Sequence, residues 1–346
     1  MPESNRRDFL RTATMTVTGS LAAASASAAE TKDGSATPEP TFRDHLLRCL
    51  GGPWPEPGPL EARVLKTEQK DGYRLEWVNY LAEPEDRIPA ILLVPDGVSD
   101  KSPAPGICLW HEHAGRWNVG KIEPAGLGGD PMHYTGVALA KLGYVVLCPD
   151  ALAFGERRDA TGKLDGPAFE RFEFLRYVVA GKCMAWKNIL DMRRAVDYIV
   201  SRPEVVGEKL GCYGHSMGST HTWLVGPWEP RLKCLVGNCC LPTYKAIHRT
   251  HLLHCFPNFI PGIYQYGDTP DIAGLIAPRP LHLNIGETDG GSPIEEVREG
   301  IETIAKAYAK QNASDRFTAF IEPDTGHVLS PAMWDLTKAF FAKHLA

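Results

Sequence analysis

The pentapeptide Gly214-His215-Ser216-Met217-Gly218 constrains this chain more than any other stretch of it. An apolar run over 209–213 leads into it, and a helical stretch opens from it. A serine between two glycines at a strand-to-helix turn sits on a reversal so tight that its own backbone is strained. Neighbours without a Cβ leave the room that such a reversal needs. The turn lifts the hydroxyl clear of a sheet and points the following N–H, that of Met217, into the same space. A hydroxyl beside a free amide is what attack on a carbonyl requires.

The surrounding pattern supplies the strand and the helices. Ile189, Met192, Val196 and Ile199 recur at spacings of three and four, which predicts a helix over 184–201 that Pro203 ends. A polar link over 204–209 then precedes a strand over 210–213. Further apolar runs read as buried parallel strands at 106–110, 144–148, 234–237, 281–285 and 317–321. Helical patterns at 134–142, 294–310 and 331–344 separate them. Strands alternating with helices predict the α/β class, a mostly parallel, doubly wound sheet with helices on both faces. Three alternating runs at 62–66, 73–81 and 88–94, with Asp71-Gly72 as a hairpin turn, predict antiparallel N-terminal strands on one edge. The stretch 239–270 is rich in His, Pro and aromatic residues, and it reads as a cap-like insertion over the site.

A nucleophilic serine needs a base, and the base needs an acid that orients it. The serine turn resembles that of the α/β-hydrolases, and the resemblance implies the chain order serine, acid, histidine. His327, in Asp324-Thr325-Gly326-His327-Val328, follows the last strand and is the expected base. The acid is expected in Gly286-Glu287-Thr288-Asp289-Gly290-Gly291, after the preceding strand. Asp289 lies far enough past Gly286 to fold back over the sheet. Glu287 is the alternative, better placed for solvent or a cation. The helix that follows is expected to start near Pro293, with Ser292 as its N-cap.

The second oxyanion donor is expected in His111-Glu112-His113-Ala114-Gly115, as the backbone N–H of His113 paired with that of Met217. Glu112 stands where a carboxylate can steer the resting nucleophile, or else pair with Arg116 or Arg157. Arg157 belongs to Ala153-Phe154-Gly155-Glu156-Arg157-Arg158, a loop at the carboxyl end of the sheet, where ligand sites form. His111 and His113 share a face of an extended segment, yet no third ligand stands at metal spacing. No metal and no organic cofactor are expected.

These motifs resemble the triad motifs of α/β-hydrolases. Pro149-Asp150-Ala151-Leu152-Ala153-Phe154-Gly155-Glu156-Arg157 and Ile276-Ala277-Pro278-Arg279-Pro280-Leu281 are similar to the dienelactone-hydrolase-like and acetyl xylan esterase-like branch. The resemblance implies Ser216 as nucleophile, Asp289 as acid, His327 as base, and His113 and Met217 as the oxyanion hole. It also implies a small-molecule or carbohydrate ester as substrate. Dienelactone hydrolases carry cysteine where Ser216 stands, which favours ordinary carboxylic esters, acetyl esters of carbohydrates among them. Lactone or dienelactone hydrolysis and peptidase activity are the alternatives within the enzyme class. A catalytically silent fold that binds a carbohydrate or a partner protein is the reading of another class, and the intact triad stands against it.

Composition narrows the partners. The 346 residues are 43% hydrophobic and 23% charged, the balance of a soluble globular protein. A net charge of −5 with no basic block argues against nucleic acid and polybasic membrane docking. Asn5-Arg6-Arg7-Asp8-Phe9-Leu10-Arg11, a Thr/Ala-rich stretch and Ala26-Ser27-Ala28 predict a twin-arginine signal peptide over 1–29. Export to the periplasm or the exterior follows, with no membrane association after cleavage. A linker and Pro-rich segment over 30–59 and one hydrolase domain over 60–346 complete the organisation. Nine cysteines cannot all pair. Cys108, Cys148, Cys212 and Cys234 fall inside strands as small hydrophobes, leaving Cys49, Cys183, Cys239, Cys240 and Cys255 as bridge candidates.

Overall fold

Nine strands form a single sheet in the computed structural model of the chain, which describes residues 39–345. The expected signal peptide and the first part of the linker lie outside the described residues. The strands are β1 (Arg63–Lys70), β2 (Tyr73–Glu83), β3 (Asp86–Pro95), β4 (Ala104–Trp110), β5 (Val145–Pro149), β6 (Val205–His215), β7 (Leu232–Asn238), β8 (Leu281–Gly286) and β9 (Phe317–Glu322). Their order is β1-β2-β3-β5-β4-β6-β7-β8-β9. The first three run antiparallel, and β3 meets β5 antiparallel. Every later pairing is parallel. The expected α/β sheet with an antiparallel N-terminal edge is therefore the observed one.

Helices cover both faces: α1 (Phe42–Leu50), α2 (Thr135–Lys141), α3 (Gly166–Val179), α4 (Met184–Val200), α5 (Met217–Val225), α6 (Tyr244–Thr250), α7 (Thr269–Gly274), α8 (Ile294–Lys310) and α9 (Pro331–Leu345). Alternation along each strand divides the core in two. Cys108 and Trp110 of β4 join one cluster with Trp186, Ile189 and Trp223, while Ile107 and Leu109 join another with Leu139 and Phe341. Central strands buried on both faces read as continuous apolar runs, which is why they were visible in the sequence.

Four local expectations change. The polar stretch 204–209 is part of β6, because Val205 and Val206 pair with Ala104 and Pro105. The register then jumps to Leu210 opposite Gly106, so Gly207, Glu208 and Lys209 are carried in a bulge. Within the expected linker, Phe42–Leu50 is a helix with a Thr41–Asp44 capping box, and Leu46 and Leu50 are fully buried. Helix α3 inverts the usual polarity: Glu170 and Glu173 are buried while Phe172, Leu175 and Val179 are exposed, so no apolar stripe announces it. All nine cysteines are free thiols, the five bridge candidates included.

Candidate active site

Ser216 follows the last residue of β6 and precedes the first of α5, with φ 57° and ψ −119°. This is a strained conformation for a residue with a Cβ, held by what surrounds it. A Cβ on Gly214 would lie 2.1 Å from the Gly218 backbone, and one on Gly218 would lie 2.1 Å from the Trp110 carbonyl oxygen. The two glycines thus permit β6, α5 and β4 to meet at this point. The Ser216 N–H donates to the Asn238 carbonyl at 2.8 Å, tying the turn to β7. Ser216 Oγ takes part in no hydrogen bond with the described residues.

The acid and the histidine come from two further strand ends. His327 Nδ1 stands 2.7 Å from Asp289 Oδ2. The other oxygen of Asp289 accepts the Gly291 N–H at 2.8 Å, and the carboxylate is almost wholly buried. Burial alone would lower the His327 pKa. The hydrogen bond and charge of Asp289, with the charge of Glu112, outweigh it and leave the imidazole above its ordinary value. Glu287 instead pairs with Arg298 at 2.8 Å on the surface. Gly286 is needed for close approach rather than for a turn, because a Cβ there would sit 2.1 Å from the Gly326 carbonyl oxygen. Ser292 does not cap α8. Pro293 occupies that position, and the Ser292 hydroxyl accepts the Leu241 N–H.

The loop after β4 brings His113 to the same end of the sheet. Neither the His113 N–H nor the Met217 N–H has a hydrogen-bond partner among the described residues. The His113 ring is fixed by its contacts. Its Nδ1 accepts the Gly115 N–H at 3.0 Å, so Nε2 carries the proton and donates to Glu170 at 2.9 Å. Glu170 also accepts from Trp117 Nε1 at 2.7 Å. His111 turns away: its Nε2 accepts the Ala151 N–H and its Nδ1 donates to the Glu112 carbonyl. His111 and His113 are therefore no chelating pair. Glu112 binds Arg116 at 2.5 Å and not Arg157. Arg157 is buried among Asp191 at 2.7 Å and Asp86 at 3.1 Å, and it does not line the site.

Over Ser216 lies an open cleft of about 550 Å³, lined by His113, Trp117, Glu170, His254 and Phe256 among others. His254 and Phe256 belong to the 239–270 segment. His254 Nδ1 accepts from the Cys255 N–H and from the Asn258 amide, and burial pushes its pKa down to about 4. It is a neutral donor held in one tautomer. Trp117, Glu170 and His254 went unnoticed in the sequence, because each comes from a loop or helix with no motif.

The strand ends carrying Ser216, Asp289 and His327, and the order in which the chain reaches them, match one superfamily. The sequence pattern of the Abhydrolase family fits residues 54–322. The chain belongs to the Abhydrolase family. Its fold is that of the α/β-hydrolase superfamily. A curated relative is YtaP of Bacillus subtilis (strain 168), named as a hydrolase, 29% identical over 289 residues that span 82% of this chain and 92% of the relative. Among solved structures, a protein of Bacteroides fragilis named as an acetyl xylan esterase superposes with a TM-score of 0.65 at 19% identity, over 81% of this chain and 73% of its own. A glucuronoyl esterase from Solibacter usitatus superposes with a TM-score of 0.64 at 16% identity, over 87% and 91%. At such identity these structures speak for the fold of this Abhydrolase member.

Proposed function

We propose that this chain is an exported serine hydrolase that cleaves carboxylic esters, acetyl esters of carbohydrates among them, through an acyl-enzyme. Ser216 Oγ attacks the ester carbonyl while His327 Nε2 takes the hydroxyl proton. The carbonyl oxygen, now an oxyanion, accepts from the N–H groups of His113 and Met217. The C–O bond to the alcohol breaks, and His327 returns the proton to the leaving oxygen. Water, deprotonated by His327, then attacks the acyl carbon, and Ser216 is released with its proton restored. Asp289 holds the imidazole by its Nδ1–H and stabilises the imidazolium that forms twice per turnover.

The observation that carries this reading is the meeting, at one end of the sheet, of a strained serine, an Asp–His pair and two backbone N–H groups without a partner among the described residues. The names of the structural relatives favour esters of plant polysaccharides as the substrate class. An indole and a buried carboxylate lining the cleft suit hydroxyl-bearing alcohols. Hydrolysis of p-nitrophenyl acetate and labelling by a fluorophosphonate test the mechanism. Wild type should do both and Ser216→Ala neither; an unchanged rate in the variant would sink the assignment. A panel of acetylated sugars, aryl esters, lactones and peptides then ranks the substrates.

Export rests on Arg6-Arg7 and Ala26-Ser27-Ala28. Among the described residues no helix is long and apolar enough to cross a membrane. Replacing both arginines by lysine should trap the precursor inside the cell; continued export of that variant would refute the twin-arginine route.

A further inference from the structure

Three side chains from three segments converge behind the Asp289–His327 pair. Glu112 lies just past β4, His133 ends the short turn Pro131–His133, and His215 is the last residue of β6. His133 Nε2 is 3.4 Å from Glu112 Oε2, and His215 Nε2 is 3.8 Å from the same oxygen. All three donor atoms lie within 4.8 Å of one another. The two rings stand 4.4 Å apart, centroid to centroid. Both histidines are withdrawn from solvent, at 6% and 4% exposure, and the Glu112 side chain is at 7%.

Hydrogen bonding alone leaves this cluster unsatisfied. His215 Nε2 is buried with no hydrogen-bond partner, and so are His133 Nδ1 and Asn238 Oδ1. The Asn238 amide nitrogen stands 2.6 Å from His215 Nδ1. With the amide donating there, the ring proton sits on Nε2 and faces Glu112 from beyond bonding range. A half-turn of the amide exchanges the roles and gives up its 3.4 Å bond to the Val328 carbonyl. Asn238 Oδ1 then accepts from Nδ1–H, and the Nε2 lone pair joins those of His133 and Glu112. The buried His215 Nε2 finds a partner once a cation sits between the three donors.

We propose that Glu112, His133 and His215 bind one divalent first-row transition cation, zinc by the character of the donor set. Two imidazole nitrogens and a carboxylate are zinc-type ligands, and ligands at zinc distances in a tetrahedron stand roughly 3.4 Å apart. Two of the observed separations are 3.4 and 3.8 Å and the third lies within 4.8 Å, so the donors close on one ion by contraction. Outer partners hold two of the three ligands, as metal sites require. Asn238 fixes the His215 ring, and Arg116 holds the second oxygen of Glu112 at 2.5 Å. Arg116 also binds Glu123 at 2.6 Å, so two carboxylates flank one guanidinium and the surroundings stay negative for a cation. Glu123 lines the same small pocket. The ion is structural. It joins the residue before His113 to the residue before Ser216, and so holds the two proposed oxyanion donors in fixed register.

Titration calorimetry with zinc chloride on chelator-dialysed protein tests the site. One ion per chain is expected, with affinity at least about 100-fold weaker in His133→Gln and in Glu112→Gln. Zinc should raise the melting temperature of the wild type and not of either variant. Cobalt bound to wild type should give visible d–d bands without a sulfur charge-transfer band, a reading that stands even if the variants fail to fold. Absence of saturable binding overturns the proposal. So does an ion on the neighbouring trio Cys239, Asp289 and His327, which would give an intense thiolate band, block fluorophosphonate labelling and ignore His133→Gln.

Discussion

Asp289 meets His327 at 2.7 Å across 38 residues of chain, while Glu287, two positions away, reaches outward to Arg298. The peptide direction past Gly286 decides which carboxylate turns inward. Asp289→Asn is therefore expected to fold and to lose on the order of 10⁴ in kcat, because an amide holds the wrong tautomer and cannot stabilise the imidazolium. Glu287→Gln should keep wild-type turnover. Steady-state kinetics beside circular dichroism distinguishes the two, and the reverse pattern would move the acid to Glu287.

The pH profile follows from the balance at His327. Burial lowers its pKa, and Asp289 and Glu112 raise it further than burial lowers it. Catalysis needs the neutral ring, so kcat/KM should fall with acidification through a midpoint above the ordinary histidine value of about 6.5. Above that midpoint the rate should be level. In Asp289→Asn the residual activity should show a lower midpoint. The measurement is a pH–rate series on chelator-dialysed protein, and a wild-type limb below the ordinary value would contradict the assignment.

The elbow predicts a steric contrast. A methyl group at Gly214 or Gly218 would overlap backbone at 2.1 Å, whereas one at Gly290 meets nothing within 4 Å. Gly214→Ala and Gly218→Ala should each destabilise by about 3 kcal/mol or more and abolish labelling of Ser216. Gly290→Ala should leave both the urea midpoint and the labelling unchanged.

Arg157 is held as a buried structural cation. It binds Asp191 and Asp86, and Lys187 binds the same two carboxylates at 2.8 and 2.5 Å. Removing one partner strands charge, so Arg157→Met should cost about 3–5 kcal/mol of stability. The KM of the folded fraction should not change. A raised KM with stability intact would return Arg157 to the substrate site.

The tight turn at Ser216, the loops that carry Asp289 and His327 and the buried parallel strands were legible because each is local: a pentapeptide with two glycines, a glycine beside a polar residue, an apolar run. The antiparallel edge was legible for the same reason, from alternation and Asp71-Gly72. Helix α3 and the bulge in β6 were not. The first carries Glu170 inward toward His113 and Trp117, against the usual pattern, and the second depends on pairing with a strand a hundred residues earlier in the chain.

Sequence alone determined the fold class and brought forward Ser216, Asp289 and His327 as candidates, because each follows a buried strand that its apolar run marks and the ends of parallel strands lie on one edge of the sheet. Tertiary structure decided the rest. It sent Glu287 and Arg157 to ion pairs, put Trp117, Glu170 and His254 around the cleft, and gathered Glu112, His133 and His215 behind it. Those outcomes turn on side-chain direction and on contacts between distant segments, where a shift of a few ångströms separates a ligand from a surface charge.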